Sequence, residues 1–463
     1  MTTTYDPHHP TYVDEADVRD ELTRVFDVCQ GCRRCVDLCA SFPTLFDLLD
    51  RFDDRDAGRL TPLEQDRVVE ACFQCTRCSV GCPYRPEVHE TAVDFPHLML
   101  RAEAMRHVNG HQSRAQRTAR RTMTHPDTIG RLGSFTAPLA NRITGAAPGS
   151  LVRKLLATIT GVSAKRSLPR FAGERFSGWF ARRTGDLGGR SRQRVTVFPT
   201  CIVEYQDVEV GRDLVQVYEH NGIECTLSTA RCCGAPSLHA GDLRRFERIA
   251  DANVRTLAAE IRSNGGDVVV PQPSCARVLC QDYPRYCSTE RRADALLLVE
   301  HTFDASAYLV WSHVSGTVPL GTEFVGKVPD HIVHVTDPRS ASRSTRSTGS
   351  SGASGPVIDD LLALTGATVT TVDRSSGVDG LWGLRHGTEA VAVPIAQRLA
   401  TTLAAEIERL DDGDEGSGSG DTVIVGDSSL ANTVIAEQVG DRPLHPLSLM
   451  RRAYGLDVGP SPG

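Results

Sequence analysis

The sequence predicts an α+β multidomain protein: a helical N-terminal unit with a repeated cysteine motif, a basic connector, and an α/β unit that occurs twice. Three observations carry this reading. Eight of the 15 cysteines fall before residue 83, in two copies of one spacing. Short β-branched runs alternate with amphipathic stretches from residue 195 onward. Charge is segregated, because residues 101–194 hold 19 Lys or Arg against 4 Asp or Glu in a chain of formal net charge −7.

At 463 residues the chain has room for two or three domains that each bury a core, which excludes a peptide or small disulfide scaffold. No apolar run approaches the roughly 20 residues a spanning helix needs. The first residues carry Asp and Glu where a secretory signal needs a basic patch and an apolar run, so a cytoplasmic location is expected, with peripheral contact at the inner membrane face as a variant. An odd cysteine count without an export signal points to metal or redox chemistry rather than a disulfide framework.

The domains read as 1–110, a connecting segment 111–194, a first α/β half 195–330 and a second, cysteine-free half 331–463. Tracts rich in Gly and Ser at 338–356 and 411–421 read as linkers. Strands are expected at 195–198, 268–271, 331–335, 367–372 and 422–426, and helices at 208–220, 243–261 and 389–410. The basic connector suits anionic lipid, an acidic partner or the chain's own acidic domains; nucleic acid ranks last, because no binding motif accompanies the charge.

Cys29, Cys32, Cys35 and Cys39 have the spacing C-x2-C-x2-C-x3-C, and Cys72, Cys75, Cys78 and Cys82 repeat it before Pro83. Three thiolates two residues apart wrap one face of a [4Fe–4S] cubane, and the fourth completes the other cluster in two-cluster ferredoxins. One cluster is therefore assigned to Cys29, Cys32, Cys35 and Cys82, the second to Cys72, Cys75, Cys78 and Cys39. Zinc would leave the third cysteine of each motif without a role. Between the motifs, Thr61, Pro62 and Glu64 predict a helix start with a capping box. The second motif then begins at that helix's end.

A further set follows the α/β strands: Cys201, the pair Cys232 and Cys233 before Gly234, and Cys275 in a Pro-Ser-Cys element. Ligands of α/β sheets bind at strand C-terminal ends. Adjacent cysteines suit an expanded, non-cubane cluster better than a single ion, so a third centre is admitted there. Cys225, Cys280 and Cys287 read as structural. His89, His334 and His445 read as fold or surface residues, and Trp382 as core packing rather than an electron stepping stone.

With these motifs in place, the chain resembles the heterodisulfide reductase-related, CCG-domain iron–sulfur proteins, in the branch of the C component of anaerobic glycerol-3-phosphate dehydrogenase. The resemblance rests on the tandem motifs, on Ser41-Phe42-Pro43-Thr44-Leu45-Phe46, on Cys82-Pro83-Tyr84, and on the run from Asp94 to Arg101. It implies a two-cluster ferredoxin-like domain followed by a duplicated CCG-type α/β domain. The chain departs from the family in its second half, which reads Ser375-Ser376-Gly377, His334-Val335-Thr336-Asp337 and Asp427-Ser428-Ser429 where relatives place cysteines. Serine is a poor ligand for soft metals, so this half is expected to keep the fold and lack a cluster.

The resemblance implies an electron-transfer subunit working between a flavoprotein dehydrogenase and a quinone or other carrier, since no flavin or nicotinamide fingerprint is present. The alternative is a disulfide or heterodisulfide reductase acting at Cys201, Cys232, Cys233 and Cys275. An iron–sulfur scaffold or sensor is a third class. No residue is assigned a catalytic role.

Overall fold

The computed structural model describes residues 4–183, 193–337, 357–378, 381–412 and 421–456. The helix Glu15–Cys32 starts where the Asp14 carboxylate accepts the Asp17 N–H, and it stops where Arg33 turns left-handed, so Cys29 and Cys32 occupy its last turn. The helix Pro62–Glu70 opens with the expected capping box, the Thr61 hydroxyl taking the Glu64 N–H and the Glu64 carboxylate taking the Thr61 N–H. It ends two residues before Cys72.

A further element, the helix Phe95–Val108, is buried along most of its length. Its Phe95 stacks on Phe42 with ring centroids 4.6 Å apart, in a core shared with Val18, Leu22 and Phe26. The helix also buries Arg101 and Arg106. Arg106 is held by Asp66, Glu70 and Glu103, and Arg101 by Asp17 and the Tyr12 carbonyl. A buried guanidinium needs such partners to offset its lost hydration. These pairs tie the helix that precedes the second cysteine motif to the one that follows it.

The α/β region holds two parallel sheets. In the first, β1 (Gln193–Val197), β2 (Ile223–Leu227), β3 (Asp267–Val270) and β4 (Thr302–Asp304) lie in the order β2-β1-β3-β4. Val195 pairs with Cys225 on one side and Asp267 on the other. In the second, β5 (His331–Val335), β6 (Thr368–Val372) and β7 (Thr422–Gly426) lie in the order β6-β5-β7, and His331 pairs with Thr368 and Thr422. Parallel strands are covered on both faces, which is why β3 is apolar from Val268 to Val270 and fully buried. The helices Val208–His220 and Glu389–Asp412 stand where periodicity places them, and Leu243–Asn264 runs one turn longer than expected.

The connecting segment is where structure adds most to the sequence reading. It folds into the helices Arg114–Met123, Pro126–Phe135, Ala137–Thr144, Leu151–Thr160 and Phe176–Arg182. Their caps are local: Ser113 and Gln116 form a second capping box, Ser150 caps Leu151–Thr160, and left-handed Gly161 ends it. Part of the basic charge is spent inside the molecule. Buried Arg153 donates to the carbonyls of Thr144, Ser163 and Arg166, while Arg166 sits 3.6 Å from Glu437.

The tract 338–356 lies outside the described residues, as does 413–420 of the second expected linker. Asp411 and Asp412 continue the long helix instead, and the Asp421 N–H bonds Asp330 at 3.1 Å. Replacing Thr61 by alanine removes the hydroxyl arm of the capping box, while the backbone N–H of residue 61 still reaches Glu64, and is expected to cost about 1 kcal/mol, read as a lowered unfolding midpoint in denaturant.

Candidate metal centres

The eight N-terminal cysteines fall into two electrostatic neighbourhoods. The Cys29 thiol is pushed up first by burial and then by Cys35, Cys82 and Cys32. Burial likewise carries Cys35 to about 11, with Cys82 and Cys32 adding to it. In the other neighbourhood burial raises Cys39 and Cys78, each reinforced by Cys72 and Cys75. Cys39, Cys72, Cys75 and Cys78 line one small closed cavity roofed by Phe95 and Pro96. Cys78 also feels Cys35, so the two groups adjoin.

Backbone conformation carries independent information. Of the six non-glycine residues with positive φ among the described residues, Arg33, Gln74, Thr76 and Thr200 (53°, 59°, 64° and 53°) directly flank a cysteine, while Arg55 and Ala92 do not. Such conformations cost about 1–3 kcal/mol each and persist where the surroundings demand them. A left-handed residue between right-handed ones turns backbone N–H groups into a concavity that suits an anionic cluster. No three His, Cys, Asp or Glu side chains among the described residues close on a single metal ion. Thiolates that grip the corners of a multi-iron core stand wider apart than ligands of one zinc ion. The donor set, its enclosure and its backbone fit an iron–sulfur core.

The third set stands at the C-terminal ends of β1, β2 and β3. Cys201 opens the short helix Cys201–Tyr205, Cys232 and Cys233 lie in the loop after β2, and Cys275 sits in Pro273–Arg277. The Cys233 and Cys275 sulfurs are 3.2 Å apart, the Cys201 and Cys232 side chains bond each other, and the Gly234 N–H points at the Cys232 sulfur from 3.5 Å. Gly234 is left-handed, and a Cβ there would come within 3.0 Å of Phe246 and Ile249. Two supports of this loop have no sequence signal. Asn253 donates to the Cys232 carbonyl at 3.0 Å, and the Tyr283 hydroxyl donates to the Cys233 carbonyl at 3.0 Å.

All four of these cysteines line a cavity of about 500 Å³. Its far wall is built by the connector helices, through Ile129, Leu132, Leu139, Ile143 and Leu156, and closed from the second half by Leu384 and Leu430. Cys225 and Cys287 are buried away from it, and the Cys280 thiol donates to the Thr302 carbonyl at 3.7 Å. His89 lies edge-on to Tyr84. Trp382 packs on Phe73 with ring centroids 4.3 Å apart and donates to the Glu70 carbonyl, which wedges the second half against the Cys72 segment.

In the second half the corresponding strand ends carry hydrogen bonds instead of thiols. The Ser375 hydroxyl accepts the Gly377 N–H at 3.0 Å. Buried His334 bonds Asp359 through Nδ1 at 2.5 Å and Asp427 through Nε2 at 2.6 Å. The space among Asp337, Ser376, Asp427 and Ser428 is about 20 Å³, room for one water molecule.

Two family models match the chain: the CCG cysteine-rich domain over residues 195–279 and the 4Fe-4S dicluster domain over residues 28–86. The chain therefore contains a CCG cysteine-rich domain and a 4Fe-4S dicluster domain. It is 23% identical over 427 residues to the C component of the anaerobic glycerol-3-phosphate dehydrogenase of Escherichia coli K12, covering 84% of this chain and 99% of that one. It is 30% identical over 102 residues to the B component of the CoM/CoB fumarate reductase of Methanothermobacter marburgensis (22% of this chain, 20% of that one). It is 27% identical over 141 residues to lactate utilization protein A of Oceanobacillus iheyensis (30% and 54%). No solved structure matches it significantly. The chain thus carries iron–sulfur clusters, including the two [4Fe–4S] clusters of the dicluster domain, and serves electron transfer.

At four irons per cubane, Cys39→Ser is expected to remove about four irons per chain from anaerobically purified protein. The check is iron and acid-labile sulfide analysis, with low-temperature electron paramagnetic resonance showing the loss of one cubane signal.

Proposed function

We propose that this chain is the iron–sulfur subunit of an oxidoreductase complex that accepts electrons from a flavoprotein dehydrogenase subunit or other redox protein and passes them to a quinone. The observation that carries the reading is the cavity of about 500 Å³, apolar along its walls and lined at one end by Cys201, Cys232, Cys233 and Cys275. A quinone is a planar headgroup on a lipophilic tail, and apolar pockets with a few polar groups at one end suit that shape.

In this reading Cys29, Cys32, Cys35 and Cys82 hold one [4Fe–4S] cluster and Cys39, Cys72, Cys75 and Cys78 the other. The third set holds a non-cubane centre. Bound there, the clusters supply one-electron chemistry between a two-electron donor and the carrier. The chain's own part is to grade exposure. The first set is partly exposed and suited to a docking donor, Cys72 and Cys75 of the second are buried, and the third faces the cavity. Complexes of this kind are named for the relatives, among them a glycerol-3-phosphate dehydrogenase and a fumarate reductase.

The domains are taken as 1–110, 111–194, 195–330 and 331–463, the last two as copies of one unit. The shared arrangement supports this, because the first strand of each half lies between its second and third. The cysteine-free copy keeps the sheet and fills its cluster position with hydrogen-bonded side chains. A charged disulfide would meet Leu and Ile walls in the cavity, which favours the quinone over the disulfide reductase reading.

Among the described residues no helix is long and apolar enough to cross a membrane. The connector helices nevertheless leave Leu132, Phe135, Leu139, Leu151, Leu155 and Ile159 in solvent, Phe135 at 89% and Leu151 at 82% exposure. Exposed Arg131, Arg142 and Lys154 lie among them. An apolar face of this size beside basic side chains matches a peripheral membrane contact, and Leu132 and Leu139 belong to both that face and the cavity wall.

Two outcomes test the reading. Viologen-reduced protein is expected to reduce a short-tailed benzoquinone, and Cys233→Ser to abolish that reaction while both cubane signals remain; no quinone reduction by the wild type would refute it. Phe135→Asp with Leu151→Asp is expected to weaken sedimentation with anionic phospholipid vesicles at least about tenfold, and neutral vesicles to bind less than anionic ones.

A further inference from the structure

We propose that the cysteine-free half delivers protons to the carrier in this cavity through Asp359, His334 and Asp427, an inference that rests on the quinone reading above. Reduction of a quinone to a quinol takes two electrons and two protons, one hydrogen ending on each carbonyl oxygen. Cluster-borne electrons bring no protons with them. The cavity walls near the thiols are apolar, so the protons need a polar path from solvent.

Asp359, on the helix Val357–Ala363, is the partly exposed end of that path, its side chain at 22% exposure. His334, in the central strand β5, is fully buried and bonded to a carboxylate through each ring nitrogen. Asp427 is the buried end, just past β7. A histidine so placed can pass a proton out at Nε2 and be refilled at Nδ1, which a tie to a single carboxylate cannot do. Beyond Asp427 lies the one-water space that it shares with Ser428, and Ser428 also lines the large cavity. Alongside, Ser429 bonds Gln272 at 2.8 Å, and the Gln272 carbonyl accepts the Cys275 N–H at 3.0 Å. The path therefore ends where the thiols face the carrier.

The neighbouring charges favour a proton on the path. Burial alone would discharge His334, but Asp427 and Asp359 outweigh it and push the imidazole up to about 10. Asp304, from the end of β4, faces Asp427 and Asp337 and is pushed up to about 7 by burial. Buried His445 also feels Asp427 and is held below its ordinary value by burial. Thr371 of β6 donates to Asp359, and the Asp337 N–H donates to Asp427 at 3.1 Å. Arg77 and Arg374 border the one-water space, and Arg77 is paired with Asp373.

The test compares two acceptors of the same viologen-reduced protein: a short-tailed benzoquinone, which needs protons, and ferricyanide, which takes one electron and none. Asp427→Asn keeps the shape and a bonding group for His334 but cannot carry a proton. It is expected to slow quinol formation about 100-fold and leave ferricyanide reduction within about twofold of wild type, with unchanged iron content and melting temperature. Asp427→Glu is expected to restore much of the rate. Infrared difference spectra should show a carboxylic acid band on turnover that Asp427→Asn lacks. Asp359→Asn, at the exposed end, should slow the quinone reaction in the same direction and serves if the first variant fails to fold. Equal slowing of both acceptors, or of neither, would overturn the relay. Wild-type protein that reduces ferricyanide but no quinone would instead refute the quinone reading, and the relay with it.

Discussion

A thiolate cannot persist away from water unless positive charge faces it, and this single constraint shapes most of the molecule. Burial pushes the Cys29, Cys35, Cys39 and Cys78 thiols upward, and the Cys232 side chain together with burial does the same to Cys201, so without a metal these five stay protonated. Iron reverses that balance by supplying the missing charge locally. Enclosure that would be a liability for free thiols becomes the means of holding a cluster. The positive-φ residues beside Cys32, Cys75 and Cys201, and Gly234 beside Cys233, are the backbone's share of the same arrangement.

The connector acquires its meaning from the third set. Its helices Pro126–Phe135, Ala137–Thr144 and Leu151–Thr160 are short, basic and apolar on two sides. One side lines the cavity at the thiols, and the other is left in water. Close packing fixes the position of Pro126–Phe135: a Cβ on Gly130 would come 2.3 Å from the Tyr205 ring of the first α/β half, and one on Gly133 2.5 Å from Phe171 of the connector itself. This helix can approach the Cys201 helix so closely only because Gly130 lacks a side chain.

Local rules made much of the fold legible. The capping box at Thr61, the strand at 331–335 and the helix at 208–220 each depend on residues adjacent in sequence, and each stands where it was read. The cysteine spacing likewise made the iron–sulfur module legible, because a cubane's geometry is written in intervals of two and three residues. What stayed hidden depends on distance in sequence. Asn253 and Tyr283 steady the Cys232–Cys233 loop from 20 to 50 positions away, with no pattern to mark them. The connector's charge masked its helices, since high Arg content reads as a surface tract until the apolar positions are placed on one face. The carboxylate partners of His334 are hidden in the same way, because they come from other elements.

The second half holds no cysteine and presents a different set of side chains at its strands. Two parallel sheets of related order each present strand C-terminal ends, one carrying thiols and the other imidazole and carboxylates. Thiols bound to iron move electrons; imidazole and carboxylate move protons. A quinone needs both in equal number, and they must arrive at one place from different surroundings, the electrons from enclosed metal centres and the protons from solvent. In the proposed relay, imidazole and carboxylates of the second half open a polar route to a cavity that the same half lines through Leu384, Ser428 and Leu430.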